Sequence, residues 1–204
     1  MLAQSFLDDP DKMIVVDTSV VINLCSTGVA RQIISSIPCR FVLVQEVMNE
    51  LKFGPMKEQR GSKIYTELVT PDQMKIATLS EAGMEQFMDL VAGHTSDSLD
   101  DGEAATIAHA LECNATAIID ERKANRICAE RFSSLQTACT LDLLSHQSVH
   151  DTLGPSGIAD ATYHALLHGR MRVPKHFLDW VLTLIGPERA AQCTSLPKSV
   201  RATC

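Results

Sequence analysis

Short β-branched runs that alternate with helix-forming stretches constrain this chain more than any other feature. Ile14 to Val16, Phe41 to Val44 and "TAII" (Thr116 to Ile119) are continuous and apolar, the composition of strands covered on both faces. Helical spacing follows each of them, in "TSVVINL", in Glu46 to Lys52 and in the stretch after "IIDE". Strands separated by helices predict a mostly parallel sheet with helices on both faces and right-handed crossovers. Further elements are expected as a strand of edge character at "IYTELVT" (64–70), a helix at "LSEAGMEQFMDLVA", and a short strand and helix in "SSLQTACTLDLLSHQ". Two more helices are expected from about Gly157 onward, broken at Val173-Pro174. The charged stretch "KEQRGSK" (57–63) is expected to be exposed.

In "KMIVVDTSVVINL" an aspartate, Asp17, ends the first of these strands. A carboxylate at a strand's carboxyl end faces the crevice where open α/β sheets bind ligands. The plain alternative is a helix cap, a role that the hydroxyls of Thr18 and Ser19 could also take. The choice between the two depends on whether other acids reach equivalent places. Glu50 lies in the helix after the second strand, with Glu46 one turn earlier as the alternative. Glu103 opens the helix of "DDGEAATIAHAL", where the helix dipole tolerates negative charge and Asp101 is the expected cap, with Asp100 exposed. Asp120 ends "TAII" with Glu121 beside it. Carboxylates that converge in this way repel one another unless a cation neutralises them. Hard ions such as Mg²⁺ or Mn²⁺ prefer such oxygen ligands and keep waters for a phosphate substrate, which suits hydrolysis of a phosphodiester.

Composition is consistent with this and removes other classes. The chain has 204 residues, 45% hydrophobic and 21% charged, enough for one domain or for one domain with a small helical addition. Its net charge of −7 argues against a broad basic face that grips nucleic acid by phosphate neutralisation alone, but a site that presents divalent cations needs local carboxylate. No apolar run approaches the roughly 20 residues that span a bilayer. The opening "MLAQSFLDDPD" carries acids where a signal peptide would carry Lys or Arg. A cytoplasmic location without membrane association is therefore expected. Seven dispersed cysteines without a CxxC spacing suit reduced thiols in the core. The pairs His146 with His150 and His164 with His168 have helical spacing but no HExxH pattern, so a zinc site is not expected there.

Taken in order, "VVDTSVVINL", "NELKFGP", "DDGEAATIAHAL" and "IIDERKANRICAE" resemble the acidic motifs of PIN-domain nucleases, across about Met13 to Gln147. The most similar branch is related to the toxins of toxin-antitoxin pairs. The resemblance implies an α/β/α sandwich of three layers around the parallel sheet and cleavage of RNA by water activated on Mg²⁺ or Mn²⁺. Carried over residue by residue, it implies Asp17, Glu50, Glu103 and Asp120 as the catalytic, metal-holding set, with Glu121 as the alternative fourth ligand. Ser19 and Arg126 are candidates for substrate contact, against the plainer roles of helix cap and ion-paired surface residue. Residues 1–150 are expected to form the PIN-like domain and 151–204 a C-terminal helical extension packed on it. An antitoxin-like protein partner belongs to the same expectation, and the Met-rich "MEQFMDLV" leaves room for a homodimer.

Three other readings compete. A receiver domain needs paired acids at the first strand end, and a haloacid-dehalogenase-type phosphatase needs DxDxT where this chain has Asp17-Thr18-Ser19. The third is a catalytically silent interaction module on the same fold, which leaves a retained acidic cluster without a use.

Overall fold

A computed structural model of the chain describes residues 5–53, 68, 73–92 and 98–201. Five strands form one all-parallel sheet flanked by helices, the α/β/α class expected from the sequence. The strands are β1 (Met13–Val16), β2 (Arg40–Val44), β3 (Lys75–Ala77), β4 (Thr116–Ile118) and β5 (Thr137–Ala138), in the order β3-β2-β1-β4-β5. β1 is central: Val15 pairs with Val42 of β2 on one side and with Ala117 of β4 on the other. Ile14, Val15 and Val16 are fully buried, as a strand covered on both faces requires. Because every pair is parallel, all five carboxyl ends lie at one edge of the sheet, the edge where Asp17 and Asp120 leave β1 and β4.

One edge of the sheet is a strand that the sequence did not single out. The stretches 57–63 and 64–70 lie outside the described residues except for Leu68, which is helical and buried. The edge strand is Lys75–Ala77, parallel to β2. Its Lys75 and Ile76 are exposed, so the segment lacks the apolar continuity that marks the central strands.

The helices between strands are α1 (Thr18–Ser26), α2 (Ala30–Ser36), α3 (Gln45–Phe53), α4 (Glu81–Val91), α5 (Asp101–Glu112) and α6 (Arg122–Arg131). Ser80 caps α4, its hydroxyl accepting from the Gly83 amide at 3.1 Å. In α5 every residue from Gly102 to Ala110 is buried. The small Ala104, Ala105, Ala108 and Ala110 let this helix pack closely, and the cluster around it includes Val15, Val44, Leu90, Ile107, Ala117, Ile119 and Ile127.

The chain divides into two compact units, one of residues 1–21 with 38–139 and one of residues 22–37 with 140–204. The sheet belongs to the first. The second is helical, with α7 (Thr140–Leu144), α8 (Gln147–His164), α9 (Leu178–Ile185), α10 (Pro187–Gln192) and α11 (Lys198–Arg201). Ile33, Leu141, Leu144, Val149, Ile158, Leu166 and Val181 are among its buried residues. Gly154, at φ 68°, interrupts α8 in a conformation that glycine adopts without strain, and Pro155 restarts the helix where a missing amide costs nothing. A π-helical turn (Ala165–Gly169) follows, and Arg170 closes it in the left-handed conformation.

Candidate active site

Asp17 follows β1, and its amide donates to the Ile118 carbonyl at 3.2 Å, extending the pairing of β1 with β4. Its side chain is 3% exposed. One carboxylate oxygen accepts from the Ser19 hydroxyl at 2.7 Å and from the Ser19 amide at 3.1 Å. Asp17 itself therefore makes the capping turn expected of Thr18 and Ser19. Burial pushes its carboxyl up to about 7, against the Ser19 hydrogen bonds, and Asp100 repels it further.

The Thr18 hydroxyl serves a different partner. It donates to Glu50 Oε2 at 2.5 Å, while Glu50 Oε1 accepts from the Gly102 amide at 2.8 Å. Glu50 of α3 thus joins the start of α1 to the start of α5. A Cβ at Gly102 would lie 2.6 Å from Glu50 Oε2 and 2.7 Å from Thr18 Oγ1, so only glycine lets the three elements meet at this distance. Burial raises the Glu50 carboxyl, Thr18 and Gly102 oppose this, and Asp100 and Asp101 add repulsion.

Glu103, one residue on, is 6% exposed. Burial lifts its carboxyl to about 8, and Asp100, Asp17 and Glu121 add to the shift. Asp17 and Glu121 are thus each close enough to repel Glu103, and Asp100 acts on Asp17, Glu50 and Glu103 alike. Among the described residues no salt bridge reaches Asp17, Glu50 or Glu103. Asp120 lies two residues beyond β4, buried, at the strand end adjacent to Asp17.

The expected cap of α5 is corrected. Asp100, exposed as expected, is the cap: its carboxylate accepts from the Glu103 amide at 2.9 Å, and Asp101 is the first helical residue. The β/extended backbone at Asp100 turns its side chain back over the amides. Arg126 lies exposed on α6 and donates to Glu130 at 2.8 Å, one turn along. Glu46 sits one turn before Glu50, with one buried oxygen that has no hydrogen-bond partner.

Asn125 was not singled out from sequence, and Thr18 was expected only as a helix cap. Asn125 donates from one amide nitrogen to the Ile119 carbonyl at 2.8 Å and to the Glu121 carbonyl at 3.0 Å, clamping the turn on both sides of Asp120. Thr18 orients Glu50. The sequence offered one signal for Asn125, its place one turn after Glu121 at the start of a helix.

A second group with metal-ligand chemistry lies at the far end of α5, where ligand atoms of His109, Glu112 and Cys113 fall within 4.8 Å of one another. Hydrogen bonds already engage Glu112, from Ser80 Oγ at 2.6 Å and with His109 Nδ1 at 2.6 Å. They hold its carboxyl below its ordinary value although burial acts the other way. This group ties α4 to α5 and is separate from the acids at the sheet edge.

The acids at the sheet edge have the donor chemistry of a hard-cation site, but among the described residues the only group of three whose ligand atoms all lie within 4.8 Å of one another is His109, Glu112 and Cys113. The sheet-edge acids offer oxygen ligands only, Asp17, Glu103 and Asp120 are buried, and Asp17 and Glu121 repel Glu103 in a way that a cation would relieve. Fold and site together define an open α/β protein with an acidic crevice at the carboxyl ends of its strands. The family model DUF3368, a PIN domain, matches residues 13–186, and the chain belongs to that family of PIN domains. Its fold is of nuclease type, and PIN domains typically use divalent metals. No curated protein matches the chain. Among the described residues no helix is long and apolar enough to cross a membrane.

Proposed function

We propose that this protein is a divalent-metal-dependent endoribonuclease that hydrolyses RNA phosphodiester bonds. The observation that carries the reading is the buried pair Asp17 and Glu103, pushed up to about 7 and about 8 by burial and by neighbouring carboxylates. A fold without a cation to hold has no use for so costly an arrangement. Asp17, Glu50, Glu103 and Asp120 would hold Mg²⁺ or Mn²⁺, with Glu121 beside Asp120 as a further oxygen ligand. When bound, the ion polarises the phosphate and lowers the pKa of water.

The chain's own residues fix the geometry. Ser19 holds the Asp17 carboxylate in one rotamer, Thr18 and the Gly102 amide hold Glu50, and Asn125 holds the turn that carries Asp120. Ser19 also lies where its hydroxyl could meet a phosphate. Arg126, already paired with Glu130, would have to exchange that partner for RNA. The resemblance to toxin-antitoxin ribonucleases supports a toxin role, an antitoxin-like partner and cytoplasmic action, and the exposed Met84 and Met88 of α4 suit a homodimer.

One observation favours a silent interaction module: both oxygens of Glu50 are engaged in hydrogen bonds within the protein. Each carboxylate oxygen keeps a second lone pair, however, and that reading leaves Asp17 and Glu103 unexplained. The test is cleavage of a panel of RNAs with Mn²⁺, with Mg²⁺ and with EDTA. Cleavage that requires the ion and is lost in Asp17→Asn supports the enzyme, whereas no cleavage of any RNA with either ion favours the silent module.

A further inference from the structure

The second unit carries a feature that the acidic site does not use. Between Asp160 and Asp179 the chain holds Arg170, Arg172 and Lys175 with His164, His168 and His176, and no acid, in a protein of net charge −7. His168, Arg170, Arg172, Lys175 and His176 are all exposed. Elsewhere in the same unit Arg189 is paired with Asp160 at 2.7 Å and lies over the Tyr163 ring. No carboxylate pairs with Arg170 or Lys175 among the described residues.

Rings flank this cationic link on both sides. Tyr163, His164 and His168 follow one another along the end of α8 and the π-helical turn after it, with centroids 5.6 Å apart at each step. Beyond the link, His176 lies 4.6 Å from Phe177, which meets Trp180 edge-on at 5.9 Å, and Trp180 in turn lies 6.2 Å from His150. Each ring series presents an exposed imidazole at the margin of the link, His168 on one side and His176 on the other. Cations that track a backbone, combined with ring faces on which bases stack, are the two elements of sequence-tolerant binding to single-stranded nucleic acid.

We infer that the strip from His168 to His176 is a contact surface for single-stranded RNA, separate from the acidic site. The inference rests on the ribonuclease reading for the identity of the polymer. Its test therefore omits the metal: the full chain in EDTA is titrated into fluorescein-labelled oligouridylate and followed by anisotropy, at salt concentrations from about 50 to 200 mM. The triple variant Arg170→Asn, Arg172→Gln, Lys175→Gln should bind at least about tenfold more weakly, with the slope of log affinity against log salt reduced by about 2, because each phosphate contact on a single strand contributes about 0.7. His176→Ala, measured at about pH 8, should weaken binding and leave the slope unchanged. Asparagine at 170 tolerates the left-handed backbone, and unchanged melting of each variant shows that the fold is kept. Binding by the triple variant with the parent's affinity and slope overturns the inference, as does a parent that ignores oligouridylate. Metal-dependent cleavage by that same parent would leave the ribonuclease reading standing.

Discussion

A β-carbon at Gly102 would meet Glu50 Oε2 at 2.6 Å and Thr18 Oγ1 at 2.7 Å. The nearest obstacle is the end of a flexible side chain, so Gly102→Ala should displace the Glu50 carboxylate more than it disrupts folding. A stability loss of about 1–2 kcal/mol is expected from the strain, with a fall in Mn²⁺-dependent cleavage of about tenfold or more, since each 1.4 kcal/mol of lost transition-state stabilisation is tenfold. Melting and cleavage measured side by side check this, and a variant that unfolds before it loses activity would show that the glycine serves packing alone. The same physics explains why Asp17 is more than a cap. A cap exposed to water needs no burial, whereas Asp17 is 3% exposed and its carboxyl rises to about 7.

The start of α5 concentrates the site's negative charge. Asp100 caps the helix and repels Asp17, Glu50 and Glu103 at once. Asp100→Asn keeps a side-chain oxygen for the Glu103 amide and removes the charge, so it should raise the melting temperature of the metal-free protein. Asp100→Ala loses the cap as well, at a cost of about 1 kcal/mol. Thermal melts in EDTA separate the two effects: an Asp100→Asn variant no more stable than the parent would deny the repulsion, and equal melting of the two variants would deny the cap. At the start of α6, Asn125→Ala removes the clamp on the Ile119 and Glu121 carbonyls. It should cost about 1–3 kcal/mol of stability and weaken Mn²⁺ binding, a pair of readouts that melting and calorimetry give together.

These elements show what sequence could and could not reveal. β1, β2 and β4 are legible because full burial on two faces demands unbroken apolar runs. β3 is not, because Lys75 and Ile76 are exposed at the sheet edge and nothing in three residues sets them apart from a loop. The places of Asp17, Glu103 and Asp120 are legible because strand ends and helix starts can be located in the chain. Thr18 on Glu50, Gly102 beneath it and Asp100 as the common source of repulsion depend on which helices meet across the sheet edge, and spacing along the chain does not encode that.

For the whole molecule the buried acids set a pH dependence. Asp17 titrates at about 7 in the folded protein against an ordinary 3.8, and Glu103 at about 8 against 4.5. In the unfolded chain both ionise readily near pH 4. As the pH rises, the folded protein must ionise the same groups in a buried site, so their contribution to stability is full below about pH 4 and is lost progressively up to about pH 8. The metal-free protein should therefore melt several degrees lower at about pH 8 than at about pH 5. Mn²⁺ should reverse the loss at the higher pH, because it binds the ionised carboxylates of the folded state. A melting temperature flat across this range, with or without Mn²⁺, would mean that the acids are not strained.

Calorimetric titration of Mn²⁺ into the full chain, compared with Asp17→Asn and Glu103→Gln, tests the central claim most directly. If the carboxylates at the sheet edge hold the ion, the parent binds it and releases protons as Asp17 and Glu103 ionise, and each variant binds about tenfold or more weakly. Equal binding by parent and variants, or a parent that takes up no Mn²⁺ at about pH 8, would contradict the account.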